Sequence, residues 1–237
     1  MPQLGLINNL TSSVVPSWPN KYSLAFDGVD DWLSVPITNF MDDDFSISCW
    51  MNADSANVDS WAGIGIGSSY QYGLKISYDQ LLYKDDATNV YNVSFSPAPS
   101  NDVWNHFVIS HDLSEKTFSM YLNANTATTS TYTDNLITDH ATSDTLYISS
   151  VGRPFTGYID EVSVFDAVLS SADVTSLYNN GKPNNLSGLA NLHGWWRMGD
   201  GSEDATGNTI YDMSDNSNNG TFTDANASGI NYATNVP

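Results

Sequence analysis

The sequence predicts an all-β protein, an antiparallel sandwich carrying one short helix, on three observations. Short runs of alternating apolar and polar residues recur along the chain, separated by intervals crowded with Asn, Ser, Thr and Asp. Strands of that kind with turns roughly every 8–12 residues belong to sandwiches rather than to parallel α/β sheets. Apolar residues are 41% and aromatics 12% of the 237 positions, enough for a sizeable core. Finally, one stretch, residues 157–181, runs from a strand pattern straight into helix-capping signals. All-β sandwiches of this length are commonly one unit, so the chain divides into an N-terminal arm, residues 1–21, and a single sandwich, residues 22–237.

The arm carries Pro16, Pro19 and the apolar cluster Leu4, Leu6 and Ile7, and reads as a segment that docks on something. It has no basic n-region, and nowhere does the chain approach the ~18 apolar residues of a membrane span, so neither a signal peptide nor a transmembrane helix is expected. Phe45, Ile47, Cys49 and Met51 alternate with Ser46, Ser48, Trp50 and Asn52, the two-residue period of a strand with one face on a core. WAGIGIG, residues 61–67, lacks the third glycine of a dinucleotide fingerprint and reads as a tight strand. YQYGLKISY, QLLYK and NVYNVSF form a meander closed by Pro97 and Pro99. Residues 104–111 and 117–123 make a hairpin turning at Ser114, Glu115 and Lys116. The Thr-rich residues 126–144 suit an edge strand with long loops, and 146–151 lead into the organising stretch.

In that stretch Tyr158, Asp160, Val162 and Val164 are expected on one face and Ile159, Glu161, Ser163 and Phe165 on the other, so two acids inside a strand need partners. Ser170 with Asp173 three residues on forms a capping box, Leu169 and Val174 take the staple positions, and Gly181 stands where a left-handed C-cap falls. Beyond the connector, residues 191–223 hold further strand patterns, followed by a tail, residues 225–237. That is too little chain for a second domain. The strands are expected to close the same sandwich, the rival being completion of a neighbour's sheet.

Only 7 Lys and Arg face 27 Asp and Glu, a net charge of −20. Nucleic acid and anionic membranes are excluded as partners on that balance, and salt or divalent cations would screen the surface. Cys49 is the only cysteine, so no intramolecular disulfide forms, and it reads as a small core residue.

Three motifs carry a family resemblance in family order. YSLAFDGVDDWLSVP (22–36) resembles an opening strand pair, DVWNHFVISHD with FSMYLN (102–123) a central hairpin, and GYIDEVSVFDAVLSSADVTSLYNNG (157–181) the ending of laminin-G-like, concanavalin-A-like jelly-roll domains. The hairpin departs from the pattern at YLNANT, where the family has Gly after Asn. GWWRMGDG with IYDMSDNSNNGTFT (194–223) is similar to strands that open such a unit, here placed last as in a circular permutant.

The resemblance implies a jelly roll and a calcium site, with Asp27, Asp30 and Asp31, the backbone at Gly28, and Asp160 and Glu161 as candidate ligands. Calcium takes six to eight oxygens, which carboxylates and turn carbonyls supply. The plainer alternative is that these acids shape the turn and bond backbone. Asp215 to Asn226 fits a calcium loop at several positions but has Asn226 where a bidentate Glu is required. An enzyme is not expected. The glucanase pattern E-x-D-x-x-E is missing, Glu161 and Asp166 fall on opposite faces of a regular strand, and His106, His111, His140 and His193 lack metal-ligand spacing.

Two roles remain. A non-catalytic virion component, a bacteriophage decoration or surface protein bound to other virion proteins or to itself, accords with the missing secretion signal, the lack of cysteine pairs and a C-terminal resemblance to marine phage structural proteins. The alternative is a calcium-dependent module binding cell-surface glycans through Trp61, Tyr70 and Tyr72. A glycoside hydrolase ranks third.

Overall fold

The computed structural model describes residues 19–38, 40, 43–55, 63–69, 72–84, 90–132, 144–149, 154–200, 207–224 and 230–237. The first 18 residues of the expected arm lie outside them. The strands, in chain order, are β1 (Ser23–Asp27), β2 (Trp32–Ile37), β3 (Phe45–Ala53), β4 (Ile64–Ser69), β5 (Tyr72–Ile76), β6 (Gln80–Lys84), β7 (Val90–Ser94) and β8 (Asn105–Asp112). They continue with β9 (Thr117–Leu122), β10 (Thr128–Thr131), β11 (Asp144–Ile148) and β12 (Thr156–Phe165), then helix α1 (Ser171–Tyr178). The last four are β13 (Leu192–Trp196), β14 (Thr209–Ile210), β15 (Gly220–Thr223) and β16 (Tyr232–Ala233).

One sheet runs β10-β9-β8-β3-β12-β1-β16 with β13 also on β12, and the other β14-β15-β2-β11-β4-β5-β6-β7. Every ladder among the described strands is antiparallel. The architecture is the antiparallel jelly-roll sandwich with one short helix that the sequence predicts. Between the sheets lies a core that includes Leu24, Phe26, Leu33, Val35, Ile47, Cys49, Phe107, Ile109, Phe118, Leu146, Ile148, Val164 and Trp196. Burying each such side chain contributes roughly 1.5–3 kcal/mol. No described helix is long and apolar enough to cross a membrane.

The outer face of the first sheet carries a second apolar cluster, in which Val108, Tyr121, Phe165 and Trp195 meet Leu169, Val174 and Leu177 of the helical segment. This changes the reading of β3, whose nine residues are all buried rather than half of them. Its polar row is covered because it has partners there: Ser46 Oγ donates to Ala167 O (2.7 Å) and accepts from Leu169 N (3.1 Å). The Ser170–Asp173 capping box forms, and Leu169 and Val174 pack in the same cluster. The helix stops earlier than the Gly181 cap implied, at Asn179 with φ 44°, because Asn tolerates the left-handed region almost as Gly does. In the same way Asn123 and Ala124 (φ 52° and 55°) turn the chain where the family has Asn-Gly, and Asn125 N donates to Leu122 O at 3.0 Å.

A further correction concerns β12. Over Phe26, Ala25 and Leu24 its neighbour is β1, and from Val162 onward the neighbour on that side is β13. At the seam the register with β3 shifts between Asp160 and Ser163, and Glu161 takes φ 47°. That bulge adds one residue and breaks the two-residue period. Ile159 and Val162 therefore share the inner face, where strict alternation separates them.

Candidate functional site

At one rim of the sandwich the ends of β1 and β3, the start of β12, the loop before β8 and the C-terminal segment enclose a cleft of about 440 Å³. Asp27, Asn52, Asp54, Asp102, Gly157, Tyr158, Asn231 and Asn235 are among its walls. The sequence places them there through register: Gly157 pairs with both Phe26 and Ala53, which brings the three strand ends together. Gly157 is required, since its φ is +132° and a Cβ would lie 2.1 Å from Asn52 O.

The loop bearing Asp102 and Trp104 is fixed from below. Asn105 Nδ2 donates to Ser100 O (2.8 Å) and Val103 O (3.1 Å), and Asp102 N bonds Ala53 O at 2.9 Å. Asp102 itself has φ 59°, a conformation that costs a non-glycine residue about 1–2 kcal/mol. Its Oδ1 accepts Ser55 N at 3.0 Å, and the hydrogen bonds from Ser55 hold its carboxyl below the usual range. Tyr158 lines the cleft, its ring 6.4 Å from that of Trp104 behind it, and Trp104 Nε1 donates to Asn235 Oδ1 (3.1 Å). No lysine, arginine or histidine is among the described lining residues.

Asp27 belongs both to this cleft and to the acidic turn behind it. Ligand oxygens of Asp27, Asp30 and Asp31 lie within 4.8 Å of one another, close enough to hold a metal ion. The turn is held by its own bonds: Val29 N donates to Asp27 Oδ1 (2.7 Å), Asp27 N donates to Asp31 Oδ2 (3.1 Å), and Gly28 has φ 80°. Burial raises the Asp31 carboxyl, and the charges of Asp27, Asp224 and Asp30 raise it further. Such concentrated like charge fits a divalent cation. Asp224 escaped the sequence reading because it joins only through the pairing of Thr223 with Trp32.

Asp160 and Glu161 do not join this cluster. Asp27 pairs with Thr156, so Asp160 lies roughly 13 Å further along β12 at ~3.3 Å per residue. Glu161 is buried against Arg197, whose Nε donates at 3.1 Å, and against Trp195 Nε1 at 2.6 Å. Asp160 accepts Asn20 Nδ2 (3.0 Å) and Glu161 N (2.8 Å). Burial lifts both carboxyls, Asp160 well above its usual range and Glu161 to about 7, the latter against the pull of Arg197. Trp61 and Tyr70 lie outside the described residues. Tyr72 begins β5, with its side chain outside the described set. The residues that do line the cleft, Asn52, Asp102, Tyr158, Asn231 and Asn235, carry no local motif that singles them out.

At the opposite end of the sheet a larger cleft, about 710 Å³, is lined by Thr38, Phe40, Asp43, Asp44, Leu113, Ser114, Asp166 and His193. Its polar groups are largely engaged with one another or with backbone: His193 Nδ1 pairs with Asp166 Oδ1 at 2.9 Å, and Leu113 N donates to Asp44 Oδ1 at 2.9 Å. Phe40 is 1% exposed. Asp166 and Glu161 thus occupy separate sites.

A family model described as the concanavalin A-like lectin/glucanases superfamily matches residues 27–175, more than half of the chain. No curated protein matches the sequence. Among solved structures, a candidate carbohydrate binding protein from Bacteroides ovatus superposes with a TM-score of 0.62 at 19% identity over 90% of this chain, which spans 60% of that one. The binding domain of botulinum neurotoxin serotype D gives 0.50 at 16% identity, over 70% of this chain and 44% of that one. Domain 4 of an extracellular arabinanase from Geobacillus stearothermophilus, in complex with arabinotriose, gives 0.47 at 17% identity over 57% and 66%. At these identities the likeness is one of fold.

Proposed function

The chain belongs to the concanavalin A-like lectin/glucanases superfamily, and from that premise we propose that it is a non-catalytic carbohydrate-binding module whose ligand sits in the rim cleft. One observation carries the reading. Exposed carboxylates and amides flank the Tyr158 ring around a 440 Å³ cleft, at a loop fixed from beneath by Asn105. Sugars need both kinds of surface, hydrogen-bonding groups for hydroxyls and an aromatic face for the C–H side of the ring. The carbohydrate binding named for the Bacteroides neighbour accords with this role. The virion role draws no support from these relatives, and the glycan-binding alternative is the better supported.

Calcium is the ion proposed for Asp27, Asp30 and Asp31. When bound it would neutralise the carboxylates of the turn and hold Asp27, which faces the cleft. The residues themselves already fix the turn through Asp27 Oδ1 and Asp31 Oδ2. The test is a glycan array in calcium-containing buffer, with the wild type beside Tyr158→Ala. Binding of a defined glycan set that falls at least tenfold in the variant supports the proposal. Binding undiminished by Tyr158→Ala moves the site elsewhere, and glycan hydrolysis by the wild type contradicts the non-catalytic reading.

A further inference from the structure

The donor and acceptor pattern of the cleft narrows the ligand class, on the premise that this rim is the binding site. Asn235 is an exposed wall residue. An indole N–H can only donate, so the amide oxygen of Asn235 is the atom that faces Trp104 Nε1, at 3.1 Å. Its NH₂, with two donors, is then turned away from the indole. The backbone of Asn235 is tied as well, its carbonyl accepting Ser23 Oγ at 2.6 Å, and Asn231 O accepts Ala25 N at 2.9 Å. The C-terminal segment is thus fastened to β1 as one wall of the cleft. The other walls carry the carboxyl oxygens of Asp102 and Asp27 as acceptors, each group already holding one backbone N–H.

We infer that the C-terminal segment is the specificity wall of this cleft, and that its ligand is a neutral glycan presenting vicinal hydroxyls. A hydroxyl accepts from the Asn235 amide and donates to a carboxylate at once, so adjacent hydroxyls bridge the walls. The anionic group of a uronate, sialic acid or sulfate ester accepts only and brings negative charge against Asp54 and Asp102, with no described cationic side chain in the lining to offset it.

The decisive variant is Asn235→Asp, which keeps an oxygen for Trp104 and is nearly isosteric but removes the NH₂ donors. Wild type and variant are assayed in calcium-containing buffer against neutral arabino-, gluco-, manno- and galacto-oligosaccharides and against sialylated, uronate and sulfated ones. The expected result is binding of neutral glycans alone by the wild type. The variant should lose at least tenfold in affinity at an unchanged melting temperature. Asp102→Asn, measured alongside, should raise binding of the anionic set and keeps the test open if Asn235→Asp misfolds. Neutral binding unaffected by Asn235→Asp overturns the specificity wall while leaving the rim site standing. Preference for anionic glycans overturns the ligand class. Binding of no glycan by the wild type overturns both this inference and the carbohydrate-binding reading beneath it.

Discussion

The acids of the FDGVDD turn and the acids of the β12 seam stand on neighbouring strands, yet they handle charge in opposite ways. At the seam, Glu161 and Asp160 are withdrawn from solvent and answered from within, by Arg197, Trp195 and Asn20. Arg197 also donates to Pro19 O (3.0 Å) and Asp200 O (2.7 Å), so one guanidinium ties the chain entry and the turn after β13 to the bulge. At the rim, Asp27, Asp30 and Asp31 crowd together with Asp224 nearby, and Asp27 and Asp31 each accept a backbone N–H. Position in a sequence motif does not separate the two sets. Burial and the presence of one arginine do: the seam is a closed structural joint, and the rim is an acidic turn in which Asp27 and Asp31 each hold a backbone N–H.

The strongest way to break this contrast is to remove the arginine. Arg197→Met should cost about 3–5 kcal/mol in chemical denaturation, because it leaves a buried carboxylate without its counter-ion. A loss below about 1 kcal/mol would mean that the seam is not closed by that pair. Next in size is calcium. At 100 times its dissociation constant a bound ion adds about 2.7 kcal/mol, roughly 5–10 °C in melting temperature for a chain of this size. Chelation should remove that increment, Asp27→Asn should abolish the response, and Glu161→Gln should leave the response intact. A response that survives Asp27→Asn would place the ion elsewhere.

The smallest expected effect is in pH. Asp31 has a folded-state pKa above the usual 3.8, so the folded protein binds this proton more tightly than the unfolded chain does. Stability from this group is greatest below pH 3.8 and declines as pH rises through the folded value. In chelator, Asp31→Asn should therefore raise the melting temperature at pH 7 by a degree or so and leave it unchanged near pH 3; an equal shift at both pH values would contradict the assignment.

Much of the fold is legible locally. The strand over Phe45–Met51 and the Ser170–Asp173 box need only neighbours in sequence, and both form. What escaped is what distant chain imposes. The parity of residues 159–165 flips at a bulge that exists because β1 gives way to β13 beside β12, and no local pattern announces that handover. The serine face of β3 looks solvent-bound until a helix more than a hundred residues later covers it. Asp212 is a similar case, an ordinary acid in an Asn-rich run that accepts Trp195 N, Ser214 N, Ser214 Oγ and Asn218 N and so shapes the loop before β15. The candidate site was legible only in its Asp27, Gly28, Asp30 and Asp31 corner, because those residues share one turn. Asn52, Asp102, Tyr158 and Asn235 come from four separate stretches and meet only in three dimensions.

The most direct measurement is chemical-shift mapping by NMR with the best-bound neutral oligosaccharide from the array, since it reports the site as well as the fact of binding. Perturbations clustered at Asp27, Asn52, Asp102, Trp104, Tyr158 and Asn235, with Phe40, Asp166 and His193 unmoved, are the predicted result. Perturbations centred on Phe40, Asp166 and His193 at the opposite end, with the rim silent, would contradict it.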